Sequence, residues 1–245
     1  MLKQLFGAIL VVFAWDAVYS KGIPSFIHLC KRRGGNLDQC VLDNAGVIQP
    51  RLKKGVPELF IPPMDPLVIP EATLDSGDRF KATFKNIQLF HADDFKLEQF
   101  KIDLDKGRVN ILIFFPRLRI KSDYSVNGRL LILQLNGHGP ADGNYTNIRT
   151  TLELKGTTFT KNNKEYMKWE KEAIDIKIEK MQLQFDRIFG DNEELNQQTN
   201  RVINENIDGI VGELQPVIEG VVADFVFGIL NRIFSKYSVN ELFVD

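Results

Sequence analysis

The sequence predicts an α+β fold in which a strongly curved antiparallel β-sheet wraps a long, kinked C-terminal helix, giving a tubular super-roll. Between residues 80 and 185, apolar side chains recur at every second position, which is typical of strands with one buried face. Between residues 191 and 237, they recur at steps of three and four, the period of one helical face. A sheet with one apolar face, followed by an apolar helix, buries both surfaces when the sheet rolls around the helix.

The C-terminal helix is predicted to begin at Asp191, because Asp191 and Glu194 form a capping-box pattern. Pro216 lacks the amide proton that an interior helical residue donates, so we expect a kink there. Beyond Pro216, apolar residues cover most of the circumference, which is typical of a helix enclosed on nearly all sides. A membrane span and a long coiled coil are the alternatives, and Asp224 within the apolar run argues against both.

Residues 1–20 have the features of a secretory signal peptide. Lys3 precedes an apolar run from Leu5 to Trp15, and the segment ends with small residues at the positions that a signal peptidase recognises. A buried N-terminal helix is the alternative. The remaining residues, 21–245, are predicted to form a single domain, because no linker, repeat or low-complexity segment divides them.

The chain has two cysteines, Cys30 and Cys40, both close behind the predicted signal peptide. In an oxidising compartment they are expected to form a disulfide, and two free thiols are the alternative. The histidines His28, His91 and His138 have no clustered partners, so we predict neither a metal site nor a cofactor. The net charge of −1, with Lys and Arg scattered along the chain, gives no basic surface for nucleic acid.

Residues 36–52 are predicted to form a short amphipathic helix that bends or ends at Pro50. The segment that follows, residues 55–70, is rich in proline, which excludes a helix and a central strand. We therefore expect an ordered, extended connector whose apolar residues pack on the surface of the core.

The alternating part of the chain is predicted to be a meander of short antiparallel strands. The predicted strands cover residues 95–104, 109–115, 118–126, 131–135, 148–154, 167–169 and 174–178. Hairpin turns are expected at Lys106-Gly107, Asn127-Gly128, Asn136-Gly137 and Asp142-Gly143. After Ile178 the apolar positions move by three residues to Met181, which predicts a bulge and strong curvature.

Several motifs spread over the whole mature chain carry a family resemblance. They are the pair Cys30 and Cys40, the connector from Lys54 to Leu67, Phe189-Gly190-Asp191, Asn204-Glu205-Asn206, Glu213-Leu214-Gln215-Pro216, Asn231 and Glu241-Leu242-Phe243. Together they resemble the takeout and juvenile hormone-binding protein family of insects. The single early cysteine pair is similar to that of the takeout branch. The resemblance implies a secreted carrier in which a curved antiparallel sheet wraps a long helix and leaves an internal tunnel for a hydrophobic ligand.

The function predicted on this basis is the transport of a small hydrophobic ligand, such as a terpenoid or a fatty acid. An enzyme is not expected, because the chain has no Gly-x-Ser-x-Gly motif and its histidines lie in no recognisable catalytic pattern. The alternative is a secreted interaction module with a solid core and no ligand. We expect a monomer that binds neither nucleic acid nor a membrane in a stable way, and an unidentified receptor is left open as a partner.

We predict one elongated cavity between the sheet and the helix. Its lining residues are those at the inward-facing positions of the strands and on the apolar side of the second half of the helix. They are Ile113, Phe115, Tyr124, Leu133, Trp169, Phe185, Val221, Phe225 and Ile229. The Tyr124 hydroxyl is the polar group that we expect to orient the ligand.

A glycosylation site is predicted at Asn144. The triplet Asn144-Tyr145-Thr146 is the one acceptor sequence in the chain with an allowed middle residue. It follows Asp142-Gly143, which we expect to form an exposed hairpin turn.

Overall fold

The computed structural model describes residues 22–75, 79–130 and 133–245, so the predicted signal peptide lies outside the described residues. The first elements are β1 (Cys30–Lys31), α1 (Leu37–Ile48), the 3₁₀ helices Gln49–Lys54 and Pro57–Leu59, β2 (Leu67–Asp75), β3 (Phe80–Phe90) and β4 (Lys96–Asp103). The remainder are β5 (Arg108–Leu130), β6 (Leu133–Lys161), β7 (Lys164–Phe185), α2 (Glu193–Glu205), α3 (Ile207–Lys236), α4 (Val239–Leu242) and β8 (Phe243–Val244).

The main sheet is antiparallel throughout and has the order β2-β3-β5-β6-β7, with β4 paired to the first half of β5. A second, two-stranded sheet pairs β1 with β8 in parallel. Helix α3 lies against both edge strands of the main sheet, β7 and β2. The sheet therefore curves around α3, and the predicted α+β super-roll is confirmed.

The strands are far longer than predicted, because most of the expected turns are not turns. Strands β5, β6 and β7 have 23, 29 and 22 residues. The turn at Lys106-Gly107 is present, but Asn127-Gly128, Asn136-Gly137 and Asp142-Gly143 all lie within strands. Two of these glycines allow another part of the backbone to come close. A Cβ atom on Gly128 would lie 2.3 Å from the Arg79 carbonyl oxygen, and one on Gly137 would lie 2.4 Å from that of Ile188.

The long hairpin between β6 and β7 turns at Asn162 and Asn163, which the sequence analysis did not select. Both residues have positive φ, 51° and 59°, as a tight two-residue hairpin turn requires. Asn144 lies within β6, opposite Arg119 of β5 and Gln182 of β7. Its predicted position in a hairpin turn is therefore wrong, although its side chain is exposed as expected.

The long strands reverse which positions face outward near their middle. In β5 the exposed side chains include Arg108 and Asn110 before Pro116, but Arg117 and Arg119 after it. The same reversal occurs in the neighbouring strand at Asn147, whose φ is 54°.

In β7 the partly buried apolar positions change from Ile178 to Met181, which is the three-residue step that the sequence shows. The pairing of β7 with β6 passes from Ile178–Ile148 to Lys180–Thr146 across this point. The reversal therefore extends across three adjacent strands rather than being confined to one.

The C-terminal helix is two helices, so the prediction of one rod from Asp191 is wrong. Asn206 has non-helical φ and ψ of −112° and 22°, and it ends α2 and precedes α3. Pro216 lies inside α3, which continues through it. The N-cap of α2 is Asn192, one residue after the predicted Asp191, and it accepts a hydrogen bond from the Leu195 amide at 3.1 Å.

Asparagines of the two helices bind the free edge of β7. In each case the side-chain carboxamide accepts a hydrogen bond from a main-chain N–H of β7 and donates one to the C=O of the same residue, at 2.7 to 2.9 Å. The pairs are Asn200 with Phe185, Asn204 with Leu183 and Asn231 with Trp169. A carboxamide has the same donor and acceptor as a peptide group, so it can occupy the place of a further strand. These edge clamps fix the helices to the sheet.

On the other side of α3 the packing is built from the N-terminal segments. The predicted helix is present as α1, and Asn36 caps it by accepting from the Gln39 amide at 3.1 Å. The disulfide between Cys30 and Cys40 is confirmed and ties β1 to α1. The connector is extended apart from the short 3₁₀ helix Pro57–Leu59, and its last proline, Pro70, lies in the edge strand β2.

Buried side chains form three clusters along the molecule. The first includes Tyr124, Val126 and Leu214, and the second includes Leu152 and Trp169. A third cluster lies under the connector; its members are Leu52, Val56, Leu59 and Tyr237. The first two clusters occupy opposite halves of the long strands, on either side of the parity reversal.

Candidate ligand-binding site

Helix α3 presents accessible apolar surface along its second half. From Val217 to Phe234 its apolar side chains are all partly exposed except Ala223, which is buried. In a close-packed protein interior, a helix that is apolar on nearly every side is normally almost fully enclosed. This helix therefore has more apolar surface than its neighbours cover.

The strands around it show the same property in the middle of the sheet. In β5 all side chains from Ile111 to Pro116 are partly exposed, whichever face of the sheet they are on. In β7 the apolar positions from Ile174 to Phe185 are partly exposed as well. Partly covered apolar surface thus occurs on the sheet and on the helix, between the two fully buried clusters.

Most of the predicted lining residues in the sheet belong to those clusters. Tyr124 is in the first cluster, and Leu133 and Phe185 pack against it. Trp169 is 2% exposed in the second cluster, with its ring 5.5 Å from the ring of Phe234.

The remaining predicted residues are more accessible. Ile113 packs against the second cluster and is partly exposed. Phe115, also partly exposed, lies at the parity reversal with its ring 5.9 Å from that of Phe95. Val221 is partly exposed on α3, whereas Phe225 and Ile229 line a groove between α3 and the connector. The structure thus distributes the predicted set over two clusters, the middle of the sheet and this groove.

The Tyr124 hydroxyl is already engaged by the protein. It donates a hydrogen bond to the Asp186 carbonyl oxygen at 2.8 Å, and the Tyr124 ring packs edge-on against Phe185 with centroids 5.0 Å apart. Burial raises the pKa of Tyr124 to about 12, with a smaller contribution from the charge of Asp186. The group that the sequence analysis selected to orient a ligand is therefore a structural tyrosine.

A different tyrosine, Tyr145 of β6, has an unengaged hydroxyl inside the fold. No described residue makes a hydrogen bond with it, and its ring lies over Gly143, where a Cβ atom would be 2.7 Å from the hydroxyl oxygen. Burial raises the pKa of Tyr145 to about 12, followed by the charge of Asp142. Tyr145 lies on the same face of β6 as the buried Gly143, opposite Leu118 of β5 and Met181 of β7, so its side chain is on the inner side of the sheet. In β6 the inward-facing positions are odd-numbered up to Tyr145 and even-numbered from Ile148. This change of parity at Asn147 is the pattern that places Tyr145 inward.

Two grooves open on the surface along the C-terminal part of α3 and just beyond it. One, of about 460 Å³, lies between the segment Gly22–Leu29 and the residues around Tyr237. The other, which we call the connector groove, has a volume of about 360 Å³. Its walls are Pro57, Phe60, Pro62 and Pro63 of the connector and Phe225, Gly228 and Ile229 of α3, and it is bordered by Lys54, Asp224 and Arg232.

Within residues 22–75, 79–130 and 133–245, no group of three or more His, Cys, Asp or Glu side chains is placed to hold a metal ion. Over the same ranges, none of the helices has the length and apolar character needed to cross a membrane. What these residues offer chemically is apolar surface with a few polar groups, which suits binding of an apolar small molecule.

Comparisons with known proteins agree with this description. The chain is 23% identical over 235 residues to the circadian clock-controlled protein daywake of Drosophila melanogaster, covering 91% of this chain and 89% of the relative. Daywake of Drosophila yakuba is 23% identical over the same length.

Among solved structures, the crystal structure of Epiphyas postvittana Takeout 1 has a TM-score of 0.73 and 19% identity, covering 89% of this chain and 99% of that one. At this identity the likeness establishes the fold. The sequence model of the family described as "Haemolymph juvenile hormone binding protein (JHBP)" matches residues 8–244, nearly the whole chain. The chain therefore belongs to the haemolymph juvenile hormone binding protein family.

Proposed function

We propose that this protein is a secreted, non-enzymatic carrier that holds a small hydrophobic ligand in the lumen, by which we mean the space between the concave face of the sheet and α3. The observation that carries the proposal is the partial exposure of α3. Between Val217 and Phe234 an apolar helix inside a curved sheet has only Ala223 buried. Uncovered apolar surface costs about 25 cal/mol per Å², and a hydrophobic ligand would remove that cost.

Secretion is supported by the N-terminal sequence, by the disulfide and by the family. Residues 1–20 have the pattern of a signal peptide, and the Cys30–Cys40 disulfide is stable in an oxidising compartment. The family is described as a haemolymph protein family. We accordingly propose that the mature carrier begins near residue 21 and is extracellular and monomeric.

Within the lumen we propose that Phe115 and Val221 contact the apolar part of the ligand and that Tyr145 contacts a polar group. The Tyr145 hydroxyl is an inward-facing donor that no described residue uses, as is the buried Trp169 indole N–H, which lies within the second cluster. A ligand oxygen that accepts a hydrogen bond from it would be fixed in orientation, whereas a pure hydrocarbon would not be.

The test uses delipidated protein and a fluorescent fatty-acid or terpenoid probe. Wild type is expected to bind the probe, and Phe115→Trp is expected to bind it several-fold more weakly because the larger ring occupies lumen space. Phe159→Trp is the matched control, since Phe159 is 44% exposed near the tip of the β6–β7 hairpin. Tyr145→Phe removes one hydroxyl and should weaken binding of an oxygen-bearing ligand by about 2- to 12-fold, the value of one hydrogen bond.

The alternative is an interaction module whose core is solid. It would be supported if folded, delipidated wild type bound no probe and if Phe115→Trp and wild type had the same thermal stability with and without lipid. Mass spectrometry of an organic extract of protein from its natural source would then show no co-purified lipid.

A further inference from the structure

The connector groove lies on the continuation of the α3 face that packs inside the sheet. Leu214 is buried in the first cluster and Ile218 packs against it, whereas Phe225 and Ile229 line the groove. At about 100° per residue, these four positions fall within about 60° of one another around the helix axis. One face of α3 therefore runs from the interior of the sheet into the groove.

The face is apolar without interruption between these two ends. Val221 lies between Ile218 and Phe225 on the same side of α3, and it is partly exposed, as are Phe225 and Ile229. No charged residue falls on this face until Arg232, at the end of the groove. An apolar chain lying along α3 would stay in contact with apolar surface from the first cluster to the groove.

The groove has open space directly above the helix. Gly228 lines it, and a Cβ atom built on Gly228 meets no atom within 4 Å. The opposite wall is made of proline and aromatic side chains of the connector. The volume of about 360 Å³ falls in the range of roughly 300 to 1,000 Å³ that is usual for small-molecule sites.

The charges at the groove favour an anionic group. Two cations, Lys54 and Arg232, and one carboxylate, Asp224, border it. All three side chains are exposed, and none has an ion-pair partner among the described residues. The border therefore carries one net positive charge that the protein does not neutralise.

We propose that the connector groove is the mouth of the lumen and that it binds the carboxylate of a hydrophobic acid, such as a long-chain fatty acid or a terpenoid acid, at Lys54 and Arg232. The hydrocarbon chain then extends along the apolar face of α3 toward the first cluster. This inference rests on the proposed carrier function and adds the chemical class and orientation of the ligand.

The experiment compares a long-chain fatty acid with its methyl ester, which has the same chain and no charge, by titration calorimetry on delipidated protein. Wild type should bind the acid about fivefold more tightly, the value of one favourable ion pair at an exposed site. The double variant Lys54→Gln/Arg232→Gln should bind the two equally. Lys161→Gln/Arg201→Gln is the matched control, because it makes the same change of net charge with exposed residues that do not line the groove. Asp224→Asn should increase the preference for the acid.

A second pair of variants tests whether the groove is the route to the lumen. Gly228→Leu places a side chain in the open space and should weaken or slow binding of both acid and ester. Gly212→Leu makes the same change in an exposed part of α3 where a Cβ atom also meets nothing within 4 Å, so it controls for helix propensity. Thermal unfolding of each variant establishes that it is folded.

The outcomes separate the two proposals. If wild type binds neither compound, the carrier function fails and the mouth fails with it. Three other outcomes would leave the carrier function standing and overturn the mouth. Wild type could bind the acid and the ester equally, or the Lys54→Gln/Arg232→Gln variant could keep the preference for the acid. The third is that Gly228→Leu binds both compounds as Gly212→Leu does.

Discussion

On its β7 side, α3 is fastened to the sheet by side chain to backbone hydrogen bonds. On its connector side, apolar contacts surround an open groove, and Lys236 at the end of the helix donates a hydrogen bond to the Glu58 carbonyl oxygen at 3.4 Å. Asn231 bonds both the N–H and the C=O of Trp169, at 2.8 and 2.9 Å. On the connector side, Phe225 and Ile229 face prolines across a space of about 360 Å³. The same helix thus has one side whose distance to the sheet is fixed and one side that is only partly filled.

The difference shows how the fold combines a stable frame with accessible internal surface. Hydrogen bonds to a strand edge have a narrow range of length and direction, so they set the position of the helix to within a few tenths of an ångström. Apolar contacts have no such direction and tolerate a gap. A carrier can therefore admit a ligand on the connector side without loosening the β7 side.

The largest expected effect comes from breaking an edge clamp. Asn204→Ala leaves the N–H and C=O of Leu183 without their partners. Each such group costs about 1 to 3 kcal/mol, so we expect a loss of about 2 to 6 kcal/mol in the free energy of unfolding. Asn206→Ala is the matched control, because Asn206 is exposed and bonds only the Val202 carbonyl of its own helix. Urea unfolding of the two variants measures the difference. Equal losses for both would show that the clamp contributes nothing special.

Removing the disulfide should have the next largest effect on the free energy of unfolding, and this effect should be confined to the connector side of α3. Cys30→Ser/Cys40→Ser opens a loop with a sequence separation of 10, which by chain entropy contributes about 2 to 3 kcal/mol. Hydrogen exchange should then increase in α1 and the connector, while β7 exchanges as in wild type. Faster exchange in β7 of the variant would contradict the independence of the two sides.

A smaller effect is expected from the ion pair that joins the β6–β7 hairpin to α4. The Lys164 ammonium, together with the Ser238 hydroxyl and amide, lowers the pKa of Glu241 to about 2. A carboxylate with a lower pKa in the folded chain stabilises the fold when ionised. This contribution is complete above the ordinary pKa of 4.5 and is lost as the pH falls toward 2.

Glu241→Gln should therefore reduce the loss of unfolding free energy between about pH 4.5 and pH 2, by less than about 1 kcal/mol because the side chain is 43% exposed. Acid titration followed by circular dichroism measures the slope. Glu205→Gln, an exposed substitution on α2, serves for comparison. Identical slopes for the Glu241 variant and wild type would exclude the ion pair as a source of acid sensitivity.

The smallest effect on stability is expected at Asn144, which we still propose as a glycosylation site. Its side chain is exposed on β6, away from both sides of α3. Secreted wild type should lose mass when treated with an amidase that removes N-linked glycans, and Asn144→Gln should not. The free energy of unfolding of Asn144→Gln should stay within about 0.5 kcal/mol of wild type. An unchanged mass for treated wild type would rule out the glycan.

Local patterns in the sequence were sufficient for the fold class, α1, the disulfide and the parity change after Ile178. Period and capping depend on neighbours within a few residues, so they can be recognised without the rest of the chain. The prediction of a turn at Asn136-Gly137 is wrong because the sequence does not distinguish a glycine that a turn requires from one that lets another backbone segment, here Ile188, come close. The helix break at Asn206 was also missed, since its motif carries no signal of its φ and ψ.

What the sequence by itself determined was therefore which surfaces are apolar and in what period. Only the tertiary structure decided which of them are covered, because coverage depends on residues distant in the chain. Trp169 and Phe225 were both predicted from the sequence to line the cavity. In the structure Trp169 is 2% exposed within a buried cluster, whereas Phe225 faces an open groove. The same holds for the two tyrosines: Asp186 engages the hydroxyl of Tyr124, and the fold leaves that of Tyr145 without a partner among the described residues.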